Sequence, residues 1–213
     1  MLIPVDQIVA ALNSKGIRPT GVLHVGAHEC EELNTYQQVF GIPPRNMIWI
    51  DALQDKVNQA TARGIPNVYY AVITDKDGDT VTFKRTNNDQ SSSVLDLGTH
   101  SKHHPYVVVT GQTQHQTIMI DTFMKRANKD ASRYDFWNFD IQGAEMLALK
   151  GAEESIKHAK ALYLEVNSEE VYKGCPLIGD LDTYLGERGF ERVLTKMWEN
   201  GSCGWGDALY IRR

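Results

Sequence analysis

The stretch Gly21-Val22-Leu23-His24-Val25-Gly26 runs into Ala27-His28-Glu29-Cys30-Glu31-Glu32, with Leu33, Tyr36 and Phe40 following at helical spacing. An apolar run of strand length, a small-residue turn and a one-sided apolar helix make a strand-loop-helix unit, which opens a doubly wound α/β sheet.

The pattern repeats downstream. Met47 to Asp51 reads as a buried strand ending in a carboxylate, and Val57 with Ala60 begins a helix that Gly64 ends. Val68 to Ile73 reads as a third strand, Asp75 to Asp79 as a turn, and Thr80 to Lys84 as a hairpin partner. Asp135 to Asp140 and Ala161 to Val166 are further strands with acids at or near their ends, Asp140 and Glu165. Gly143 opens a helix bearing Ala144, Leu147 and Ala148. Helices are also expected over Val5–Leu12, over Thr122–Ala127, and from a cap at Asp180 through Leu185 to the Gly189 stop. Phe190–Met197 and Ala208–Ile211, joined by the glycine-rich Asn200–Gly206, leave no room for a crossover helix and must pair antiparallel. Asn87 to Thr117, with its histidines, glutamines and Ser91-Ser92-Ser93, reads as a long polar insertion of functional or mobile character.

The 213 residues suit one domain spanning 1–213, and the net charge of −5 offers no general attraction for nucleic acid or an anionic membrane. No apolar run of about eighteen residues is present, and the opening lacks a signal-peptide pattern, so a cytoplasmic protein is expected. Cys30, Cys175 and Cys203 show no close CxxC pair, which disfavours a disulfide framework or a cysteine zinc site.

Ligands of doubly wound sheets bind beyond the carboxyl ends of the strands, which groups His24 to Glu31, Asp51, Ala71, Asp140 and Glu165 on one rim. A pyrophosphate there needs free backbone amides and little negative charge, yet Glu29, Glu31 and Glu32 crowd the first loop. This disfavours a nicotinamide dinucleotide. S-adenosylmethionine carries an ammonium and a sulfonium and tolerates these acids, and Asp51 suits its ribose hydroxyls.

Several blocks together resemble the FkbM-type methyltransferases: Val22-Leu23-His24-Val25-Gly26-Ala27-His28, Asp51, Ala71 to Asp75 with Gly78, Ser91-Ser92-Ser93, Ile120-Asp121-Thr122-Phe123, and Phe139-Asp140-Ile141-Gln142-Gly143-Ala144-Glu145 with Lys150-Gly151-Ala152. The resemblance runs from about Val22 to Val166, and the sequence around Asp140 is its most specific element. It implies a Rossmann-like class I methyltransferase fold with a mostly parallel, seven-stranded doubly wound sheet and a C-terminal antiparallel hairpin. It also implies S-adenosylmethionine held by His24, Gly26, Ala27, His28, Glu29, Glu31, Asp51, Ala52, Ala71, Val72, Ser92, Ser93 and Asp140. The implied acceptor is a hydroxyl of a sugar, glycan or small natural product. Four departures stand out: His24 where an acid is usual, His28 for asparagine, Cys30 for glycine, and Gln142 for glutamate.

A sugar hydroxyl is a very weak acid, so a positioned proton acceptor accelerates its methylation, and Asp140 is the first candidate. His103 and His104 on the polar insertion come second, and Glu165 is an orienting carboxylate. The spacing of these histidines with His100 matches no standard metal site. Trp198 and Trp205 are candidate acceptor contacts, whereas Trp49 and Trp137 belong in strands and hence the core. Ribose methylation of RNA and a degenerate cofactor-binding scaffold are the alternative functions, and fusion to glycan-modifying domains would suit the compact length.

Overall fold

A computed structural model describes residues 1–213, the side chain of Asn200 excepted. Along the chain lie α1 (Val5–Ser14), β1 (Val22–Val25), α2 (Leu33–Gln38), β2 (Met47–Asp51), α3 (Gln54–Ala62), β3 (Val68–Tyr70), β4 (Val72–Ile73) and β5 (Thr80–Thr86). They are followed by α4 (His100–His103), β6 (Val109–Ile118), α5 (Ile120–Arg126), β7 (Phe136–Phe139), α6 (Glu145–Lys150), β8 (Ala161–Asn167), α7 (Ile178–Glu187), β9 (Phe190–Met197) and β10 (Trp205–Arg212).

The main sheet has seven strands in the order β3-β2-β1-β7-β8-β10-β9. β10 runs antiparallel to both β8 and β9, while the pairs from β3 to β8 are parallel. This is the Rossmann-like class I methyltransferase arrangement with its antiparallel C-terminal strand. Alternation along the strands divides the core between the two faces: Leu23, Val25, Ile48, Ile50, Trp137 and Phe139 pack on one side, and Val22, Met47, Trp49 and Phe136 on the other. Burying each such side chain contributes about 1.5–3 kcal/mol. The register Val22↔Met47 and Val22↔Phe136 brings the carboxyl ends of β1, β2 and β7 level, and the connection order reverses at β1. The loops leaving those strands therefore converge on one crevice.

Several expectations need correction. The Val68–Ile73 run is not one strand: Ala71 N–H donates to the Asp51 carbonyl, 3.1 Å, and ends β3, after which β4 joins a second sheet of order β4-β6-β5. The antiparallel partner of β5 is β6 (Thr80↔Gln116), not the preceding strand. The last third or so of the polar insertion thus belongs to a ten-residue strand, exposed for most of its length, with Gln114 and Gln116 donating to the Thr82 and Thr80 hydroxyls. Phe40 lies past the end of α2, although it stacks on Tyr36 at 5.9 Å. α7 starts before Asp180, whose carboxylate instead reaches back to accept the Leu177 N–H at 2.8 Å. Among the described residues, no helix is long and apolar enough to cross a membrane.

Candidate active site

The crevice is a cleft of about 500 Å³, within the range of small-molecule and cofactor sites. Its floor begins at Gly26, whose N–H donates to the Ile50 carbonyl at 2.8 Å. Gly26 has φ +85°, and a Cβ there would fall 1.8 Å from the Asp140 carbonyl oxygen. Only glycine lets this loop lie against the end of β7. The loop then passes through left-handed conformations at His28 (φ 41°) and Cys30 (φ 57°). Asparagine and glycine adopt such conformations with less strain, so two of the four departures fall on left-handed backbone in this loop, and a third, Gln142, does so after β7.

Side chains hold the loop in that shape. His28 N–H donates to Asp51 Oδ2 at 2.6 Å, and the His28 ring meets Glu31 Oε1 at 2.7 Å. Desolvation works to raise the Glu31 carboxyl, but the His28 ring and backbone donors outweigh it and bring it down to about 2. Glu29 turns away from the cleft to pair with Lys56 on α3 at 2.9 Å, and Ala27 is buried beneath the loop. Inside β1, desolvation keeps His24 below its ordinary value, and it sits 3.2 Å from the Tyr36 hydroxyl. Because that hydroxyl already accepts from Asn138 Nδ2 at 2.7 Å, its own proton is free for His24 Nδ1.

Asp51 ends β2 with its carboxylate on the cleft. It accepts one backbone N–H per oxygen, from His28 and from Leu53 at 2.7 Å, which leaves a further lone pair on each for a diol. Ala52, Ala71, Val72 and Ser92 line the same half of the cleft. Ser93 does not: its hydroxyl donates to the Gln142 carbonyl at 2.8 Å and ties the serine segment to the loop after β7.

The second half of the cleft is built around Asp140, which opens into it from the end of β7. Gln142 Nε2 donates to Asp140 Oδ1 at 2.5 Å and to Glu165 Oε2 at 3.0 Å, while Gln142 Oε1 accepts the Tyr172 hydroxyl at 2.5 Å. Although Asp140 is exposed on the open cleft, its recess from bulk water, then the charge of Asp207, pushes its carboxyl up to about 7; burial also raises Glu165 well above its ordinary value. Glu145 is fully buried, accepts the Ile141 N–H at 2.9 Å and so braces the loop carrying Asp140; desolvation lifts it to about 8. Asp207, paired in register with Glu165, also lines the cleft.

His104 lines the cleft and packs on His100 at 5.0 Å. His103 points elsewhere and meets Glu169 Oε1, so it is removed from the candidate bases. Trp198 and Trp205 stack at 5.2 Å with an interplanar angle of 11° and both line the cleft, whereas Trp49 and Trp137 are fully buried in the core. Sequence reasoning missed Gln142 as a bridge, Glu145 as a brace, and Asp207 and Tyr172 as lining groups. The acid at Glu145 was a legible signal, since a carboxylate in a first helical turn commonly reaches back to the preceding loop.

A family profile, the methyltransferase FkbM domain, matches residues 24–192. The chain belongs to the FkbM methyltransferase family. Its cofactor is S-adenosylmethionine, and the residues present fit that group: the Gly26 cradle has no space for a side chain, and the Asp51 lone pairs face the cleft. Solved structures similar to this FkbM-family chain include magnesium protoporphyrin IX methyltransferase from Synechocystis PCC 6803 with bound S-adenosylmethionine (14% identity, 98% of this chain and 78% of that one, TM-score 0.45). Others are a SAM-dependent methyltransferase from Aquifex aeolicus (16%, 99% and 89%, 0.44) and TrmK from M. capricolum with S-adenosyl-homocysteine (8%, 100% and 69%, 0.48). At such identities and scores the likeness is too remote to transfer any property. No curated protein sequence matches the chain significantly.

Proposed function

We propose that this FkbM-family methyltransferase methylates a hydroxyl of a sugar or small natural product, with Asp140 as the proton acceptor. The observation that carries the reading is the Asp140 carboxylate, open to the cleft between the Asp51 half and the Trp198–Trp205 half and raised to about 7. When bound, the cofactor supplies an electrophilic methyl group on a sulfonium. Asp51 takes the ribose hydroxyls, and the loop from Gly26 to Glu31 receives the methionine end, with Ala52, Ala71, Val72 and Ser92 around the remainder. In-line transfer is mainly a matter of positioning, which the rigid ends of β1, β7 and β8 provide.

The acceptor hydroxyl would lie against Asp140 and give up its proton to the carboxylate as its oxygen takes the methyl group; the methyl–sulfur bond that breaks would leave its electron pair on a neutral thioether. Gln142 leaves Asp140 an accepting oxygen and holds its orientation, so the base is presented in one geometry. A carboxylate raised toward neutrality is a stronger base than an ordinary aspartate and is still largely ionised slightly above pH 7. The test uses cofactor carrying a labelled methyl group with a panel of deoxy-sugars and hydroxylated natural products. A labelled methyl ether in the product supports the reading. Label on nitrogen or carbon contradicts it, and cofactor binding without transfer to any acceptor favours a binding domain.

A further inference from the structure

No lysine or arginine lines the cleft among the described residues, although this wall holds Asp140, Glu165 and Asp207. Glu165 and Asp207 are 4% and 6% exposed, and each is hydrogen-bonded through one oxygen. Glu165 Oε2 accepts from Gln142, and Asp207 Oδ2 accepts from the Leu2 N–H and the Tyr163 hydroxyl. The other oxygen of each has no protein partner among the described residues. The Met1 amine also reaches the cleft; its hydrogen bond goes to Glu32 at 3.4 Å, while its charge acts on Asp207 and Asp140 without contacting them. Two residues before Asp207 on β10, and on the same face of that strand, Trp205 stacks with Trp198, which is 39% exposed.

Burial raises the Glu165 and Asp207 carboxyls, so they ionise together only where a cation stands against their free oxygens, and an indole face also attracts a cation. A phosphate or carboxylate on the ligand would instead meet like charge on this wall with no lysine or arginine to receive it. We infer that the acceptor bears a protonated amine near its reacting hydroxyl, as an amino sugar or amino alcohol does, and carries no phosphate. The ammonium sits against the Glu165–Asp207 pair and beside the Trp198–Trp205 stack, and the neighbouring hydroxyl is thereby directed at Asp140. This inference rests on the methyltransferase reading of the cleft and assigns the chemistry of its acceptor half.

The test is calorimetric titration of the full chain, first with S-adenosylhomocysteine and then, with that ligand saturating, with glucosamine, N-acetylglucosamine and glucose 6-phosphate. The expected result is binding of glucosamine, weakened about tenfold or more by acetylation, as loss of a charge-assisted hydrogen bond requires, and no binding of the phosphate. Glu165→Gln and Asp207→Asn should each reduce the preference for the free amine. The comparison on the unaltered protein stands even where a variant fails to fold. Equal binding of the amine and its amide, preference for the phosphate, or no sugar binding to the cofactor-loaded protein overturns the inference alone. Failure to bind S-adenosylhomocysteine overturns the methyltransferase reading beneath it.

Discussion

The side-chain amide of Gln142 donates to the Asp140 carboxylate across 2.5 Å, from a backbone held in the left-handed region at φ 57°. Glutamate is the frequent residue at this position in the resembling family, and here the amide removes one negative charge from beside Asp140 and Glu165. Gln142→Glu should therefore raise the Asp140 carboxyl further by like-charge repulsion. The acid limb of kcat/KM is expected to move up by about one pH unit. Gln142→Leu, which leaves Asp140 unoriented, should lower kcat without that displacement. A full pH–rate profile separates the two; an unmoved limb in Gln142→Glu would remove Gln142 from control of the base.

Stability should carry the mark of the raised carboxyls. Asp140 near 7 and Glu145 near 8 both have folded values above the unfolded range. The folded state then binds more protons than the unfolded state from about pH 4.5 upward, so their contribution is complete below that point and is lost as pH rises through 7 to 8. Glu31, held down to about 2, works in the opposite sense, but its contribution is already complete above about pH 4.5 and does not vary across this window. Tm is expected to fall between pH 6.5 and 8.5, above the range in which the buried His24 and His100, held below their ordinary value, act in the opposite sense, and Glu145→Gln should flatten that fall. Thermal melts across this range check it, and a Tm that rises with pH would contradict the assignment.

The Gly26 cradle gives a contrast with a built-in control. Gly16→Ala meets only the positive φ of +67°, since nothing lies within 4 Å of its Cβ, and should cost about 1–2 kcal/mol. Gly26→Ala adds a collision with the Asp140 backbone, so its Tm should fall further and the binding of S-adenosylhomocysteine should weaken. Equal melting temperatures for the two variants would mean that the loop yields easily.

Asp51 offers two hydrogen-bond acceptors toward the cleft. Asp51→Asn keeps the shape but loses the charge and leaves one accepting oxygen, which should weaken S-adenosylhomocysteine binding by roughly 10- to 100-fold. Calorimetry reads this directly, and undiminished affinity would move the ribose elsewhere.

Much of this arrangement was legible in the sequence because burial writes itself into apolar runs. Met47–Asp51 and Phe190–Met197 stand in the structure with the bounds the sequence suggested. β6 was hidden for the opposite reason: a strand exposed for most of its length, with Gln112, Gln114 and Gln116 alternating with threonine and histidine, carries no apolar alternation to read. The break at Ala71 was equally silent, since it depends on a backbone bond to Asp51 across two strands. At the site, Asp51 and Asp140 were visible as strand-end acids. The His103–Glu169 pairing and the Gln142 bridge arise from the folding of distant segments, which periodicity does not encode.

The most direct measurement of the central claim is the turnover of Asp140→Asn against the unaltered enzyme, with S-adenosylhomocysteine affinity taken on the same samples. Asp140 as the proton acceptor predicts a loss in kcat of about 10²–10⁴-fold with cofactor affinity little changed. Turnover equal to that of the unaltered enzyme, at undiminished cofactor affinity, would contradict it.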